Sequence, residues 1–407
     1  MEKLISLVGL LAVLAICYLC SCDRQKVPWK TVLVGVSLQI FFALIILKTN
    51  VGRTVFEYAG FFFNSLLSYT NEGSKFLFGS LVDVNRFGFV FATMVLPTII
   101  FVSSLTSILY HLGLMQKVVR FAAKVMMKFM GTSGSESLAV AGNIFVGQTE
   151  APLLIRPYID SMTRSEMMAL MTGGMATMAG GVLAAYVAMG IDAGHLLAAS
   201  VMSAPAALVC AKILIPETEV SATAQAKELE MEKAHTANII DAASVGAAEG
   251  LKLAVNVAAM LLAFIALIAM CNGILAWLGG LFGWEFLSFE WIMGWVFWPV
   301  AFLMGTPLAD CQLVGVLLAK KLVLNEFVAY VDLTEMMKAD QLSERGIILS
   351  TYALCGFANF SSIAIQMGGI STLAPKRRQD LARLGLRSLL GGTIACLMTA
   401  MVAGLII

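Results

Sequence analysis

The residues with the clearest chemical potential lie in segment 142–152, where an amide, a hydroxyl and a carboxylate follow one another as Gln148, Thr149 and Glu150. Two glycines precede them and Pro152 follows, inside sequence that is otherwise strongly apolar. An ionisable residue at membrane depth is costly, so its presence there indicates a functional site. Glycine and proline indicate interrupted helical backbone, which a membrane tolerates only where protein buries it or where it lines a wet cavity. The segment therefore predicts a polar binding site built on broken helices, as in secondary transporters.

The composition of the chain indicates a membrane protein. Its 407 residues are 59% hydrophobic and 13% charged, with a mean hydropathy of +0.87, whereas soluble domains are about 25% charged. The formal net charge of +1 predicts neither a nucleic-acid partner nor an acidic substrate. The eight cysteines lie mostly in apolar segments and predict no disulfide framework or zinc site. Because the sequence has no Walker A or HExxH signature, we expect neither direct ATP drive nor an enzyme of the zinc-protease type.

Long apolar stretches predict an all-α integral membrane protein that crosses the bilayer several times. The predicted spans cover about residues 4–19, 31–47, 88–111, 165–189, 194–215, 248–280, 344–369 and 380–406. Segments 135–158 and 308–336 are apolar but interrupted, so we expect each to enter the membrane and return as two half-helices. In that layout the basic loops 22–30 and 376–387 fall on one side, the cytoplasmic side.

The remaining segments are predicted to lie at the membrane surface or in water. Residues 48–86 mix charges with aromatic runs and residues 285–306 are rich in tryptophan, as is typical of interfacial helices. Residues 115–130 are expected to form an amphipathic helix on the cytoplasmic surface, because their basic residues are three or four apart. These residues are Lys117, Arg120, Lys124 and Lys128. Residues 216–245 are expected to be a soluble loop, with charges at Glu217, Glu219, Lys227, Glu228, Glu230, Glu232 and Lys233.

Region 135–215 recurs as region 308–406. Each copy contains an interrupted segment, a span with small residues at its middle, and a further apolar span. Glu150 in the first copy corresponds to Glu326 in the second. Since one span separates the copies, we expect them to have opposite topology, which places a site at their interface near mid-membrane.

The two carboxylates also have structural interpretations. Glu150 can pair with Arg156 at an interface, and Glu326 can pair with Lys320 or Lys321 at a helix end. Other polar residues stand beside both carboxylates, and this favours a functional site over these pairings.

A third polar group follows the second carboxylate. Asn359, Ser361 and Ser362 can be small polar residues packed between helices. Beside Gly356 and Phe357 we expect them instead to line the site, with the aromatic ring against a flat or apolar face of the ligand. The donors and acceptors of these motifs favour a polar, uncharged ligand.

Oxygen ligands for a singly charged cation are available from the side chains of Asn143 and Thr177 and from backbone carbonyls at Val146 and Met178. The alternative is that these side chains cap helix ends.

Three motifs, in this order, resemble those of the concentrative nucleoside transporters of the bacterial, sodium-coupled type. They are GQTEAP at 147–152, NEFVAY at 325–330 and GFANFSS at 356–362. The likeness extends over essentially the whole chain. It implies a homotrimer in the bacterial cytoplasmic (inner) membrane, with eight transmembrane helices per protomer, two opposed re-entrant hairpins in inverted repeats, and interfacial helices.

The resemblance also implies a division into a scaffold and a transport domain that moves like an elevator. The implied parts are scaffold and interfacial helices at 1–130, the first transport repeat at 131–215, a cytoplasmic loop at 216–247, a scaffold span with an interfacial segment at 248–306, and the second transport repeat at 307–407.

The same resemblance implies roles for individual residues. The nucleobase is expected to contact Gln148, Thr149, Glu150 and Val182. The ribose is expected to bind Glu326, Asn359 and Ser362, with Phe357 lining the site. Sodium is expected to bind the side chains of Asn143 and Thr177 and the carbonyls of Val146, Thr177 and Met178. Some bacterial relatives use protons and lack the asparagine, so Asn143 favours sodium.

The expected function is therefore sodium-driven symport of nucleosides, with sodium as the coupling ion and no other cofactor. Two alternatives stay open: a proton-coupled nucleoside transporter, and a secondary transporter of another small polar solute. A membrane hydrolase is disfavoured because neither motif contains a histidine or a GxSxG elbow. A scaffold subunit without transport is disfavoured because it gives no reason for two carboxylates at membrane depth.

Overall fold

The computed structural model describes residues 1–88, 90–224, 231, 236–284 and 286–407, and within them the secondary structure is entirely helical, as predicted. The first helices are α1 (Glu2–Leu19), α2 (Trp29–Lys48), α3 (Asn50–Phe78), α4 (Val84–Phe87), α5 (Phe91–His111), α6 (Leu114–Met130), α7 (Gly134–Asn143), α8 (Ala151–Leu154) and α9 (Arg164–Ala176). The others are α10 (Gly180–Ala188), α11 (Ala193–Leu214), α12 (Ile239–Phe282), α13 (Phe289–Leu303), α14 (Cys311–Val323), α15 (Glu326–Lys338), α16 (Glu344–Leu354), α17 (Phe360–Leu373) and α18 (Arg378–Ile406). Short 3₁₀ turns cover Arg24–Lys26, Gly79–Val82, Arg156–Ser161 and Pro375–Arg377.

Seven stretches of helix in the described part of the chain are long and apolar enough to cross a membrane. They are Glu2–Leu19, Trp29–Lys48, Phe91–His111, Arg164–Ala188, Ala193–Leu214, Ile239–Phe282 and Pro375–Ile406. Each coincides with a predicted span, which confirms the multi-pass helical class. The eighth predicted span, 344–369, is divided between α16 and α17, of 11 and 14 residues. At about 1.5 Å per residue neither covers the roughly 30 Å of the bilayer core alone, so a total of eight spans stays a prediction.

The long helix α12 begins earlier than the sequence pattern predicts. It starts at Ile239, where Asn238 accepts a hydrogen bond from the backbone N–H of Asp241, rather than near residue 248. The predicted loop 216–245 is therefore too long at its C-terminal end, because the first turns of α12 combine Asp241 with small residues and are less apolar than the rest of the helix. Residues 225–230 and 232–235 of that loop, with most of its predicted charges, lie outside the described residues.

The predicted amphipathic helix is confirmed in α6. Its four basic residues are exposed, whereas Val119, Ala123, Met126 and Met130 on the opposite face are buried. The predicted interfacial segments correspond mainly to α3, a single helix of 29 residues, and to α13. Their position relative to a bilayer stays a prediction.

Helices α7–α11 and α14–α18 follow the same order, as the predicted repeat requires. In each set, a break separates two helical segments, at 144–150 in the first and 324–325 in the second. A helix broken in its middle comes next, at 177–179 and at 355–359, and an unbroken helix, α11 or α18, closes the set. Because α18 packs against both α9 and α11, the two sets share one core.

Hydrogen bonds fasten the start of α7 to the start of α9. Each helix begins with a capping box, formed by Ser133 with Glu136 and by Thr163 with Glu166. Glu166 also accepts hydrogen bonds from the hydroxyls of Ser133 at 2.5 Å and Ser135 at 2.9 Å. The carboxylate that caps α9 therefore also binds residues at the start of α7.

Lys212, near the end of α11, neutralises this cluster. Its Nζ lies 2.6 Å from Glu136 Oε2 and 3.5 Å from Glu217 Oε2, and it donates to Ser165 Oγ at 3.0 Å. The side chains of Lys212 and Glu136 are only 5% and 2% exposed. Lys212 thus joins three helices of the first repeat through a buried ion pair.

The second repeat has contacts at the corresponding place. Asp310, which precedes α14, accepts hydrogen bonds from the backbone N–H of Ser343 at 3.2 Å and from its hydroxyl. Ser343 is the N-cap of α16. Arg345 donates to the carbonyls of Gly305 at 2.9 Å and Gly404 at 2.7 Å, so α18 is joined to the same cluster.

Replacement of Lys212 by methionine should destabilise the protein strongly. The substitution leaves the buried Glu136 without its cation, and breaking a buried pair from one side costs about 3–5 kcal/mol. Thermal unfolding in detergent measures the loss, with Lys117→Met on the exposed face of α6 as the matched control. We expect a clear fall in Tm for Lys212→Met and little change for the control. Equal melting temperatures would contradict a stabilising role for the cluster.

Candidate functional site

The breaks in α9–α10 and α16–α17 lie against each other at the centre of the molecule. The carbonyl of Thr177 accepts a hydrogen bond from the backbone N–H of Phe357 at 3.3 Å. Cys396 of α18 donates its thiol to the carbonyls of Cys355 at 3.0 Å and Ala176 at 3.7 Å. The peptide groups that the breaks release therefore find partners inside the protein, as irregular backbone at membrane depth requires.

Gly356 allows this close approach. Its φ is +134°, which side chains of L-residues rarely adopt, and a Cβ at this position would lie 2.7 Å from the carbonyl oxygen of Ala176. The glycine of the GFANFSS motif is therefore needed for packing of the two breaks as well as for the local turn.

Glu326, a predicted ligand residue, takes part in a polar contact between the two repeats. Its Oε2 accepts a hydrogen bond from Asn359 Nδ2 at 2.9 Å, and its Oε1 accepts one from the hydroxyl of Tyr186 at 3.3 Å. All three side chains are buried. Asn359 also caps α17, because its Oδ1 accepts from the backbone N–H of Ser362 at 2.9 Å.

Glu326 forms no salt bridge with Lys320 or Lys321, and both lysines have other partners. Lys320 Nζ lies 2.6 Å from Asp332 Oδ2 and 3.1 Å from Glu290 Oε1. Lys321 donates to the carbonyl of Ala353 at 2.8 Å. The Glu326 side chain is thus left to the polar contacts with Asn359 and Tyr186.

Gln148 makes a second contact between the repeats. Its Nε2 donates to Ser362 Oγ at 3.2 Å, and its Oε1 accepts from Gln366 Nε2 at 3.0 Å. Ser362 and Gln366 are about 1% exposed and Gln148 is 8% exposed. Together with the Glu326–Asn359 bond, these contacts form one polar chain through both copies of the repeat.

The other predicted ligand residues lie around this polar chain. Thr149 approaches α17, since its Cγ2 would lie 3.5 Å from a Cβ added at Gly369. Glu150 is exposed and follows directly, before Pro152 in the first turn of α8. Val182 is buried in the first turn of α10, just past the break, and Phe357 is half-buried in the second break.

Asn143 and Thr177 meet beside Gly173. Thr177 Oγ1 donates to the Gly173 carbonyl at 2.8 Å, and Asn143 Nδ2 would lie 3.4 Å from a Cβ at Gly173. Asn143 Nδ2 donates to the Ala139 carbonyl at 3.1 Å, whereas its Oδ1 is buried and has no hydrogen-bond partner. A buried amide oxygen that lacks a donor fits a small hard cation better than it fits helix capping.

The remaining predicted cation ligands follow at the same two breaks. Val146 is half-buried in the break after α7, and Met178 is buried in the break after α9. The two breaks touch, because the Phe145 carbonyl accepts from the backbone N–H of Gly180 at 3.2 Å. The four predicted ligand residues carry no carboxylate, as suits a singly charged ion.

A cavity of about 450 Å³ lies away from this site, between α13, α14 and α15. It is lined by Glu290, Lys320, Asp332 and neighbouring apolar residues. At the site itself the polar side chains bind one another, so a ligand must replace contacts such as Glu326–Asn359.

Tyr186 and Gln366 are site residues that the sequence analysis did not identify. Each lies four residues after a predicted member of the site, Val182 and Ser362 respectively, and so falls on the same helix face. That spacing was the signal in the sequence that could have identified them. It does not identify them alone, because the partners of both residues are more than 100 positions away in the chain.

The helical fold and the polar chain at its broken helices define a multi-pass secondary transporter. Residues 8–81 match the family described as "Na+ dependent nucleoside transporter N-terminus", residues 92–193 match "Nucleoside recognition", and residues 195–404 match "Na+ dependent nucleoside transporter C-terminus". The chain belongs to the Na+-dependent, or concentrative, nucleoside transporter family.

Similar proteins cover the whole chain. The "Uncharacterized transporter YutK" of Bacillus subtilis is 47% identical over 100% of both chains, and an "Uncharacterized transporter" of Haemophilus influenzae is 44% identical over 100% of this chain and 98% of its own. "Sodium/nucleoside cotransporter 1" of Homo sapiens is 44% identical over 100% of this chain and 64% of its own length.

Among solved structures, CNTnw in an inward-facing substrate-bound state is 44% identical, with a TM-score of 0.94, over 100% of this chain and 98% of that one. A doubly substituted CNTnw in an outward-facing state also gives a TM-score of 0.94, at 43% identity over the same shares of the two chains. The named relatives are transporters, which confirms that the chain is not an enzyme.

Substitution of Gly356 by alanine should disrupt the contact between the two breaks. The added Cβ meets the Ala176 carbonyl and requires an unfavourable φ, so we expect a loss of about 1–3 kcal/mol, from strained backbone alone. Thermal unfolding in detergent measures it. Gly368→Ala is the matched control, because a Cβ there meets nothing within 4 Å and alanine favours the helix. If both variants have the melting temperature of the parent, the close contact between Gly356 and the Ala176 carbonyl does not limit the residue at this position.

Proposed function

We propose that this chain is a secondary symporter that imports nucleosides across the bacterial inner membrane, driven by the sodium gradient. Family membership supports both the nucleoside and the sodium dependence. The observation that carries the proposal is the buried polar chain, in which Gln148 and Glu326 each bind α17 or the break before it. These groups offer many hydrogen bonds and include no cation themselves, as suits a neutral polar solute.

The two ends of the polar chain suit the two parts of a nucleoside. Glu326 offers acceptor oxygens for ribose hydroxyls, Asn359 offers its amide N–H as a donor, and Ser362 can both donate and accept. Gln148 lies at the other end, with Thr149 and Glu150 next in sequence, where amide, hydroxyl and carboxylate groups suit the edge of a nucleobase. Val182 and Phe357 supply apolar surface for the flat face of the base.

The polar chain also explains selectivity. Asn359 and Glu326 bind each other at 2.9 Å here, so a ligand hydroxyl that separates them must replace a buried charge-assisted bond. An analogue that holds these two side chains apart but lacks the hydroxyl leaves a buried acceptor unpaired, at a cost of about 1–3 kcal/mol. The site therefore favours solutes with the full set of hydroxyls over simple bases.

Sodium binding at Asn143 and Thr177, with the Val146 and Met178 carbonyls, supports coupling. These residues belong to the break after α7 and the break after α9, and the first of these breaks carries Gln148. An ion bound there braces both segments before the nucleoside binds, so each ligand raises the affinity for the other. The alternative of proton coupling gives no role to the unpartnered Asn143 Oδ1.

We further propose the topology and assembly of the family: eight spans, two opposed re-entrant hairpins, a homotrimer and an elevator-type motion. The transport domain comprises residues 131–215 and 307–407. Support for a separate scaffold comes from α5 and α12, which pack closely: a Cβ at Gly246 would lie 2.5 Å from Ser107 Cβ, and one at Gly250 would lie 2.8 Å from Ile100 Cα. Such small-residue contacts hold membrane helices together.

Uptake of radiolabelled uridine into proteoliposomes tests the function. We expect accumulation with an inward sodium gradient and none when choline replaces sodium at matched pH. Uptake driven by a proton gradient instead would support nucleoside transport and reject sodium as the coupling ion. Folded protein that accumulates neither uridine nor adenosine under any gradient would reject the function.

Asn143→Leu tests the coupling site separately. The substitution removes the side-chain oxygen while keeping a similar volume, so we expect the sodium concentration for half-maximal uptake to rise at least about tenfold, which corresponds to about 1.4 kcal/mol. Asn143→Asp retains an oxygen ligand and should keep more of the sodium response than leucine does. Identical sodium dependence in the parent and the leucine variant would remove Asn143 from the ion site.

A further inference from the structure

Gln366 is a buried amide that connects the polar chain to the backbone. It lies on α17, one turn after Ser362, and is 1% exposed. Its Nε2 donates both to Gln148 Oε1 at 3.0 Å and to the carbonyl of Met171, on α9, at 3.1 Å. Both hydrogens of its amide group are therefore used, and both acceptors belong to the first repeat.

The Met171 carbonyl fixes the direction of the hydrogen bonds that join Gln366, Gln148 and Ser362. A backbone carbonyl only accepts, so the Gln366 atom that faces it must be the nitrogen. The same nitrogen faces Gln148, so the Gln148 atom there must be the oxygen. The Gln148 nitrogen then points to Ser362 Oγ, 3.2 Å away. Rotating the Gln366 amide by 180° would set its oxygen against two acceptor oxygens, and rotating the Gln148 amide would set its nitrogen against the nitrogen of Gln366.

The packing around Gln366 is also specific. A Cβ at Gly174 would lie 2.7 Å from Gln366 Nε2 and 3.0 Å from Gln148 Cβ, so the glycine makes room for both amides. Gln366 Oε1 is buried without a hydrogen-bond partner. Leaving a buried acceptor unpaired costs about 1–3 kcal/mol, so this arrangement gives up stability to hold the donor in place.

We propose that Gln366 is a positioning residue for nucleoside binding, which holds the Gln148 amide with its nitrogen towards the ligand. This inference rests on the proposed function. One Gln148 hydrogen binds Ser362 and the second is free for the solute. Gln148 therefore presents a donor, and the nucleobase atom opposite it must be an acceptor, a carbonyl oxygen or an unprotonated ring nitrogen. Purine and pyrimidine nucleosides both carry such atoms.

Gln366→Met tests this role because methionine has nearly the same length and no amide. Without Gln366 the Gln148 amide is free to turn its oxygen to the ligand. We expect the Kd of uridine, measured by titration calorimetry on detergent-purified protein, to rise about tenfold. The same rise is expected in the KM for uptake, with kcat and the sodium response changed less than about twofold. A general packing defect would lower kcat and the sodium response as well.

Gln116→Met is the matched control. Gln116 on α6 also donates its Nε2 to a backbone carbonyl, that of Tyr110, at 2.8 Å, and its Oε1 is also buried without a partner. The chemical change is the same, but its amide bonds only within the α5–α6 corner. We expect the parent value of the uridine Kd in this variant. A rise equal to that of Gln366→Met would show that losing any such amide weakens binding, and would overturn the proposal.

A double-substitution cycle shows whether Gln366 acts through Gln148. In a Gln148→Met background, Gln366→Met should change the uridine Kd by less than about twofold, because the group that it positions is already gone. Additive losses would overturn the positioning role and leave the nucleoside function standing. A parent protein that binds no nucleoside would instead refute the function, and this inference with it.

Discussion

A helix that breaks inside a membrane releases peptide groups that must find partners within the protein, and the rest of this structure depends on how that requirement is met. The break after α9 and the break after α16 supply partners to each other, through the Thr177–Phe357 backbone bond and the Cys396 thiol. Neither break is satisfied by its own repeat alone. The two repeats must therefore fold against each other before either can hold its irregular segment.

The polar site follows from the same constraint. Where the breaks meet, the backbone turns side chains from both repeats towards one place, so Glu326, Asn359, Gln148 and Ser362 can join in one chain. A site on a single unbroken helix would present such residues at one height and on one face only. In this protein each repeat contributes polar groups at its own break. A ligand that binds between them therefore contacts both repeats.

Much of this arrangement is visible in the sequence. Gln148 and Asn359 are recognisable as polar residues close to glycine in apolar sequence, and Glu326 as a carboxylate between two apolar stretches, and these contrasts are local. Gln366 and Tyr186 are ordinary polar residues on apolar helices, and only contacts with distant parts of the chain give them a role. The early start of α12 was missed because its first turns, with Asp241 among small residues, are less apolar than the rest of the helix. The ligand contacts of all the predicted site residues remain predictions.

The buried cluster around Glu166 and Lys212 has a mechanical meaning for the segment that bears Gln148. It pins the first turn of α7 to α9 and α11, while the opposite end of α7 runs into the break at 144–150. The base of this segment is therefore fixed by buried charges, whereas its other end is held by single hydrogen bonds, from Ser200 to the Ile144 carbonyl and from Gly180 to the Phe145 carbonyl. The segment that bears Gln148 is thus fastened more strongly at its base than at its tip.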